Sequence, residues 1–384
     1  MTVLMLTPRM SLGYGVAEAV AMIVRELNQV GISGVVGCLE HDSHYSHIPC
    51  VRVPADPAAI ADLAADAGAG VIIAHGSPYF EVLPPLTGRF RTVAYEYGDP
   101  TPELFGPVEA KRRHSVVQAK RLDVYPRVTA VAAISEFVQH DIGWPQARII
   151  RLGVDHIPDL GPKSVTLVPA RARPLRVGAL MRMGTGEARY KGHQELLGVA
   201  RLVESADVRF EVMGRGTDAD ADVFREAGIV VHLNAADEER SAFLRDIDVF
   251  VTASLWEGTN LPLVEAQSLG TPGLALDTGA HPEFTPLVFD SPAAMAMQID
   301  RYWQLPELLA AHGRMSYRFV RDRFVWAATA REIARLTVGA PSPPVRGRGP
   351  WRRRWGKVQR LVRGIHDSGV RETIQHHWSR RSGS

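Results

Sequence analysis

Cysteine is scarce in this chain. Cys38 and Cys50 are the only two among 384 residues. That excludes a disulfide-built scaffold and fits a reducing compartment such as the cytosol. No apolar run approaches the ~18 residues of a membrane-spanning helix. No basic stretch precedes the apolar Val3-Leu4-Met5-Leu6, so this segment reads as a first strand rather than a signal peptide. The 34 glycines and 26 prolines show no short period, which excludes collagen-like and low-complexity classes. With 46% hydrophobic and 22% charged residues the composition is that of a globular enzyme, long enough for two or three domains with sizeable cores.

An excess of one charge is also absent overall, at +2, but the balance is uneven. Residues 341–384 carry eleven Lys/Arg against two Asp/Glu, a net of +9, so the rest of the chain stands at −7. A mildly acidic body argues against specific nucleic-acid binding, and a basic tail suits an anionic surface. The tail opens on the breaker Pro341-Ser342-Pro343-Pro344. Beyond it Trp351, Trp355, Val358, Leu361, Val362 and Ile365 share one helical face, with Arg352, Arg353, Arg354, Lys357, Arg360 and Arg363 largely elsewhere. That is the pattern of a helix lying in a membrane interface. A solvated tail, a helix packed on the acidic body and nonspecific RNA binding share the same charge.

The body alternates short apolar strands with helical patterns, the signature of parallel α/β sheets. Strands are expected at 3–6, 34–39, 71–74, 92–95, 130–134 and 148–152, with a helix near 16–30. The linker-like Pro158-Asp159-Leu160-Gly161-Pro162 follows. The alternation restarts with strands at 175–179, 209–213, 229–232, 249–253 and 273–276, and helices near 193–203, 218–227, 238–245 and 262–269. Two similar halves predict two Rossmann-like domains, with ligands at the carboxyl ends of the strands in a cleft between them.

The richest stretch runs from Ser254 to Ala266 directly after a strand, Ser-Leu-Trp-Glu-Gly-Thr-Asn-Leu-Pro-Leu-Val-Glu-Ala. Pro262 suits the first turn of a helix, and Gly270 and Pro272 mark its far end. Glu257 then lies on the loop and Glu265 one turn into the helix. The N–H groups around Asn260–Leu263 favour an anion, and each carboxylate could accept two sugar hydroxyls. Helix-start acids also occur for dipole reasons alone.

This stretch resembles the Glu-x7-Glu motif of the retaining, glycogen-synthase-like glycosyltransferase-4 family, through Ser254, Glu257, Gly258, Leu261, Pro262, Glu265, Ala266, Gly270 and Pro272. The resemblance extends over most of residues 1–337. It takes in Gly13-Tyr14-Gly15, Ala133-Ile134-Ser135-Glu136, Leu152-Gly153-Val154-Asp155, Val212-Met213-Gly214-Arg215-Gly216, His281-Pro282-Glu283 and Phe324-Val325-Trp326. It implies an α/β GT-B fold whose last helix crosses back to the first domain. Domains are then expected at 1–160 on the acceptor side, 161–317 for the nucleotide sugar, 318–338 for the crossover helix and 339–384 for the tail. The resemblance assigns Glu257 to the donor sugar and Glu265 to the ribose. It gives the donor Gly13, Gly15, Gly214, Gly258, Thr259, Asn260 and Leu261 as well. Lys191 and Arg182 would face the leaving diphosphate, with Arg189 an alternative to Arg182.

Two departures stand out. Thr259-Asn260 replaces the family's Phe-Gly beside the donor sugar. After the strand at 92–95, where many members carry a His, the chain has Glu96 and Tyr97. His75, at the end of the neighbouring strand, is a candidate to line the site in its place. The spacing Cys38, His41, His44, His47, Cys50 offers good zinc ligands, but three-residue spacing converges only on a helix, and 44–49 reads as a loop. No Asp-x-Asp pair stands where a donor would bind, so neither a metal nor a further cofactor is expected.

The implied activity is retaining transfer of a hexose from a UDP- or GDP-sugar to a hydroxyl acceptor. The tail points to a membrane acceptor such as a glycolipid or lipid-linked saccharide, on the inner face of the cell membrane. A soluble secondary-metabolite acceptor, a GT-B-like sugar-nucleotide epimerase and a catalytically idle nucleotide-sugar-binding scaffold are the alternatives.

Overall fold

The computed structural model describes residues 1–163 and 173–338; the basic tail and its expected amphipathic helix lie outside the described residues. The chain begins with β1 (Thr2–Met10), α1 (Gly15–Gln29), β2 (Ser33–His41), β3 (Cys50–Arg52), α2 (Pro57–Ala67), β4 (Ala69–Ala74), β5 (Arg91–Glu96), α3 (Pro107–Ala119), β6 (Ala130–Ala133), α4 (Glu136–Asp141) and β7 (Arg148–Ile149). These strands form one sheet in the order β3-β2-β1-β4-β5-β6-β7. The chain continues with β8 (Leu175–Arg182), α5 (His193–Leu202), β9 (Val208–Arg215), α6 (Asp218–Arg225), β10 (Val230–Leu233), α7 (Asp237–Asp246), β11 (Val249–Thr252), α8 (Leu261–Ser268), β12 (Gly273–Leu276), α9 (His281–Phe284) and β13 (Val288–Phe289). The second sheet runs β10-β9-β8-β11-β12-β13, all parallel. Helices α10 (Pro292–Gln304), α11 (Pro306–Arg321) and α12 (Trp326–Thr337) follow in the chain.

The central strands carry apolar residues on both faces because helices cover both. All six residues of β4, Ala-Gly-Val-Ile-Ile-Ala, are buried. In the second sheet Val177, Val212, Val249, Val251 and Leu274 join Leu196, Phe224 and Ile299 from the helices in one core. The helix starts follow from local chemistry. Asp56 accepts the Ala59 N–H and caps α2, and Thr217 with Asp220 forms a reciprocal capping box on α6.

The chain divides into two compact units. Among the described residues one comprises Met1–Glu96, Lys120–Ala132 and 330–338; the other comprises Tyr97–Ala119 and Ala133–Thr329. Segment 44–49 is a loop with a short 3-10 turn at Ser43–Tyr45. His41, His44 and His47 are exposed. Cys38 and Cys50 are free thiols with sulfurs 3.1 Å apart, brought together by the parallel pairing of β2 with β3. No group of three or more metal-ligating side chains converges among the described residues.

Candidate active site

The second sheet explains where its functional residues lie. From β8 the strand order grows one way through β9 and β10, and from β11 the other way. At such a switch point the loops leaving the carboxyl ends diverge and open a crevice. The loop after β8 carries Tyr190 and Lys191, with Arg182 closing the strand, and the loop after β11 carries Glu257, Gly258, Thr259 and Asn260.

The two loops are tied together. Leu255 donates its N–H to the Tyr190 carbonyl at 2.8 Å. Gly192 has φ +65°, and a Cβ there would stand 1.8 Å from the Ala253 carbonyl oxygen. Only glycine lets the chain turn this close to the end of β11, and the turn sets Lys191 over the second loop. Its Nζ lies 2.7 Å from Glu257 Oε1. Asn260 caps α8 by accepting the Leu263 N–H on Oδ1 at 3.1 Å, and its Nδ2 donates to Thr252 Oγ1 at 3.0 Å and to Glu257 Oε1 at 3.3 Å. The Asn260 side chain is thus spent on the helix cap and on holding Glu257. Glu257 is buried at the positive end of the α8 dipole. Arg182 is half-exposed; it donates to the Tyr190 hydroxyl at 2.7 Å and pairs with Glu187 at 3.1 Å. Burial pushes the Tyr190 phenol up to about 12.

Glu265, one turn into α8, is wholly buried. Its Oε1 takes both Arg240 of α7 and His156 Nε2, the latter at 3.1 Å. Burial pushes the carboxyl up, but the Arg240 charge and the His156 hydrogen bond outweigh it and hold it at about 2.

Three further segments meet beside these loops. Ser135 caps α4 through the Val138 N–H and donates its hydroxyl to the Gly258 carbonyl at 2.8 Å. The Glu283 carboxylate accepts the N–H groups of Glu136 and Phe137 at 3.0 and 2.8 Å and pairs with Arg151 at 3.0 Å. Gly214, one residue before the end of β9, pairs with Met181, whose carbonyl oxygen leaves no room for a side chain there.

Gly13, Gly15 and His75 belong to the first unit. There the switch point falls between β1 and β4. Gly13 turns the chain with φ +81° after β1, and Gly15 opens α1. His75 follows β4, buried beside the Tyr95 ring at 5.3 Å, and burial lowers its imidazole to about 3. It is a neutral ring at pH 7. Glu96 accepts from Lys120 Nζ at 2.8 Å and from the Tyr125 hydroxyl at 2.6 Å, all three buried. Its charge is neutralised where it stands.

Arg240, His156 and Tyr190 escape the sequence reading as site residues. Arg240 reaches Glu265 across 25 positions, and no local pattern marks such a contact. His156 directly follows Gly153-Val154-Asp155 and Tyr190 directly precedes Lys191, so adjacency to a motif is the one signal available.

Residues 176–304 match the family model for glycosyl transferases group 1. A curated relative, MMP α-(1→4)-mannosyltransferase of Mycolicibacterium hassiacum, is 28% identical over 186 residues, which is 47% of this chain. The chain covers 42% of that relative's length. Among solved structures, Anabaena HepE in complex with UDP and glucose superposes with a TM-score of 0.69 at 18% identity, over 87% of this chain and 98% of that one. Sucrose-phosphate synthase of Thermosynechococcus elongatus superposes at 0.70 and 17%, over 88% and 98%. Residues 176–304 therefore match the group 1 glycosyl transferases, and the chain that carries them has the GT-B fold.

Proposed function

We propose that this chain is a retaining glycosyltransferase that moves a hexose from a nucleotide-diphosphate sugar to a hydroxyl acceptor. The observation that carries the reading is the Lys191–Glu257 pair at the head of α8, where the loops of β8 and β11 diverge. Departure of the diphosphate builds negative charge, and fixed cations aimed at it lower the barrier. Lys191 and Arg182 supply those cations, and the start of α8 adds its dipole. Glu257 orients the sugar through its hydroxyls, and Glu265 takes the ribose. The bond from the anomeric carbon to phosphate breaks, the acceptor oxygen bonds on the same face, and its proton passes to the leaving phosphate. That route needs no protein nucleophile.

Titration calorimetry with UDP, GDP, ADP and their glucose, mannose, galactose and N-acetylglucosamine derivatives tests the donor site. Micromolar binding to one base series, unchanged between magnesium and EDTA, is the expected result. The HepE structure with UDP and glucose favours UDP, and the name of the curated relative favours mannose. A folded chain that binds none of the panel has no donor site.

The acceptor reading rests on the tail. Among the described residues no helix is long and apolar enough to cross a membrane. The eleven basic residues of 341–384, with Trp351 and Trp355, suit attachment to an anionic leaflet, which places a glycolipid or lipid-linked saccharide within reach. Deleting 341–384 is expected to abolish sedimentation with phosphatidylglycerol vesicles while nucleotide binding persists. Vesicle binding that survives the deletion removes the assignment.

A further inference from the structure

We propose that His156 is the positioning residue of the nucleotide site, holding Glu265 by one carboxylate oxygen so that the other is presented to a ribose hydroxyl. The proposal rests on the donor reading above and deepens it. Its basis is a relay of three contacts. Trp326, fully buried at the start of α12, donates its indole N–H to His156 Nδ1 at 3.0 Å. An indole nitrogen can only donate, so Nδ1 is the acceptor and the proton of the neutral ring sits on Nε2. Nε2 therefore donates to Glu265 Oε1 at 3.1 Å. Arg240 binds the same oxygen. Glu265 Oε2 is buried and has no hydrogen-bond partner among the described residues, an arrangement that carries the desolvation cost of an unmet acceptor. A hydroxyl donor is what that oxygen lacks.

The relay is anchored on both sides. Asp155 Oδ1 accepts the Trp326 backbone N–H at 2.7 Å, and Val154 donates to the Phe324 carbonyl at 3.0 Å. A Cβ on Gly153 would stand 2.2 Å from the Trp326 nitrogen, so the Gly-Val-Asp segment and the opening of α12 interlock there. His156 leaves this joint with a side chain only 9% exposed, against 25% for Arg240. Arg240 is the partner nearer solvent. His156 is the partner that stays.

The test uses the full chain and the nucleoside diphosphate it binds, UDP or GDP, with the 2′-deoxy and 3′-deoxy analogues. In the wild type, loss of the hydroxyl that meets Oε2 is expected to weaken binding about tenfold or more, the range for a hydrogen bond to a charged group. His156→Phe is expected to bind the ribonucleotide about tenfold more weakly, with the weaker-binding deoxy analogue unchanged, so the discrimination collapses. A merely structural loss would weaken both nucleotides alike, and that result overturns the proposal, as does wild-type discrimination in the variant. Should His156→Phe not fold, Trp326→Phe removes the indole donor that fixes the tautomer. Reduced discrimination there supports the proposal, and unchanged discrimination overturns it. Glu265→Gln separates the two levels. If it retains full discrimination, the ribose reading itself has failed. If it loses discrimination while the His156 variant keeps it, only the positioning role has failed. A folded wild type that binds neither nucleotide removes both.

Discussion

Lys191→Met is expected to slow sugar transfer by about 10²–10³-fold, the usual cost of removing one fixed donor from a site of developing negative charge. The same change also touches stability, and the two effects can be separated. In the wild type Lys191 Nζ is 2.7 Å from Glu257 Oε1, with side chains 16% and 8% exposed. Without the ammonium, Glu257 keeps among the described residues only the 3.3 Å bond from Asn260 on that oxygen. A nearly buried carboxylate stripped of its cation costs about 2 kcal/mol here, below the ~3–5 kcal/mol seen for fully buried pairs. The double variant Lys191→Met, Glu257→Gln replaces the stranded charge by an amide and is expected to regain most of that loss. It regains none of the turnover, because the cation facing the diphosphate is still missing. Urea midpoints and initial rates on the three proteins read both effects. A Lys191→Met enzyme with wild-type turnover would remove Lys191 from the chemistry.

How much of this was legible in the residues depends on the range of the interaction. The strand–loop–helix around Glu257 reads well because its signals are local. A buried strand, Asn260, Pro262 and the Gly270 stop all lie within about twenty positions, and α8 begins where they place it. Asn260 itself reads only as a departure beside the sugar. That its amide holds Thr252 and Glu257 depends on how β11 approaches the helix start. Arg240 is invisible for the same reason, since its partner sits on another helix. α2 goes unread because Pro57–Ala67 is largely alanine, which gives little apolar-polar contrast at the helical period. The cysteine–histidine series shows the reverse case. Even spacing suggests convergence, but β2 runs out to His41 and the two thiols meet through pairing with β3, with the exposed histidines left along the turn.

Acid is expected to erode stability through Glu265 over a defined window. Its folded carboxyl stands at about 2 against an ordinary 4.5. A carboxyl depressed on folding contributes its full stabilisation above the unfolded value and loses it as pH falls from about 4.5 toward 2. The size is about 3 kcal/mol from the shift. Glu265→Gln removes the titrating group and leaves Arg240 and His156 facing an amide. The variant is therefore expected to be less stable by about that amount at pH 7, with the gap closing below pH 4. Other carboxyls held low by partners, such as Glu211 beside Arg176 and Asp159 beside Tyr317, act in both proteins and cancel in the difference. Salt provides the second reading. Exposed pairs such as Glu109 with Arg112 are screened by added salt, whereas Glu265 is wholly buried. The difference between the two unfolding curves should accordingly persist in 0.5 M sodium chloride, about half its pH 7 value being gone where the wild-type carboxyl is half-way through the window. Curves that stay parallel from pH 7 to pH 2 would mean that Glu265 is not held as an ion pair. The arrangement that frees its second oxygen for a ribose would then lose its physical basis.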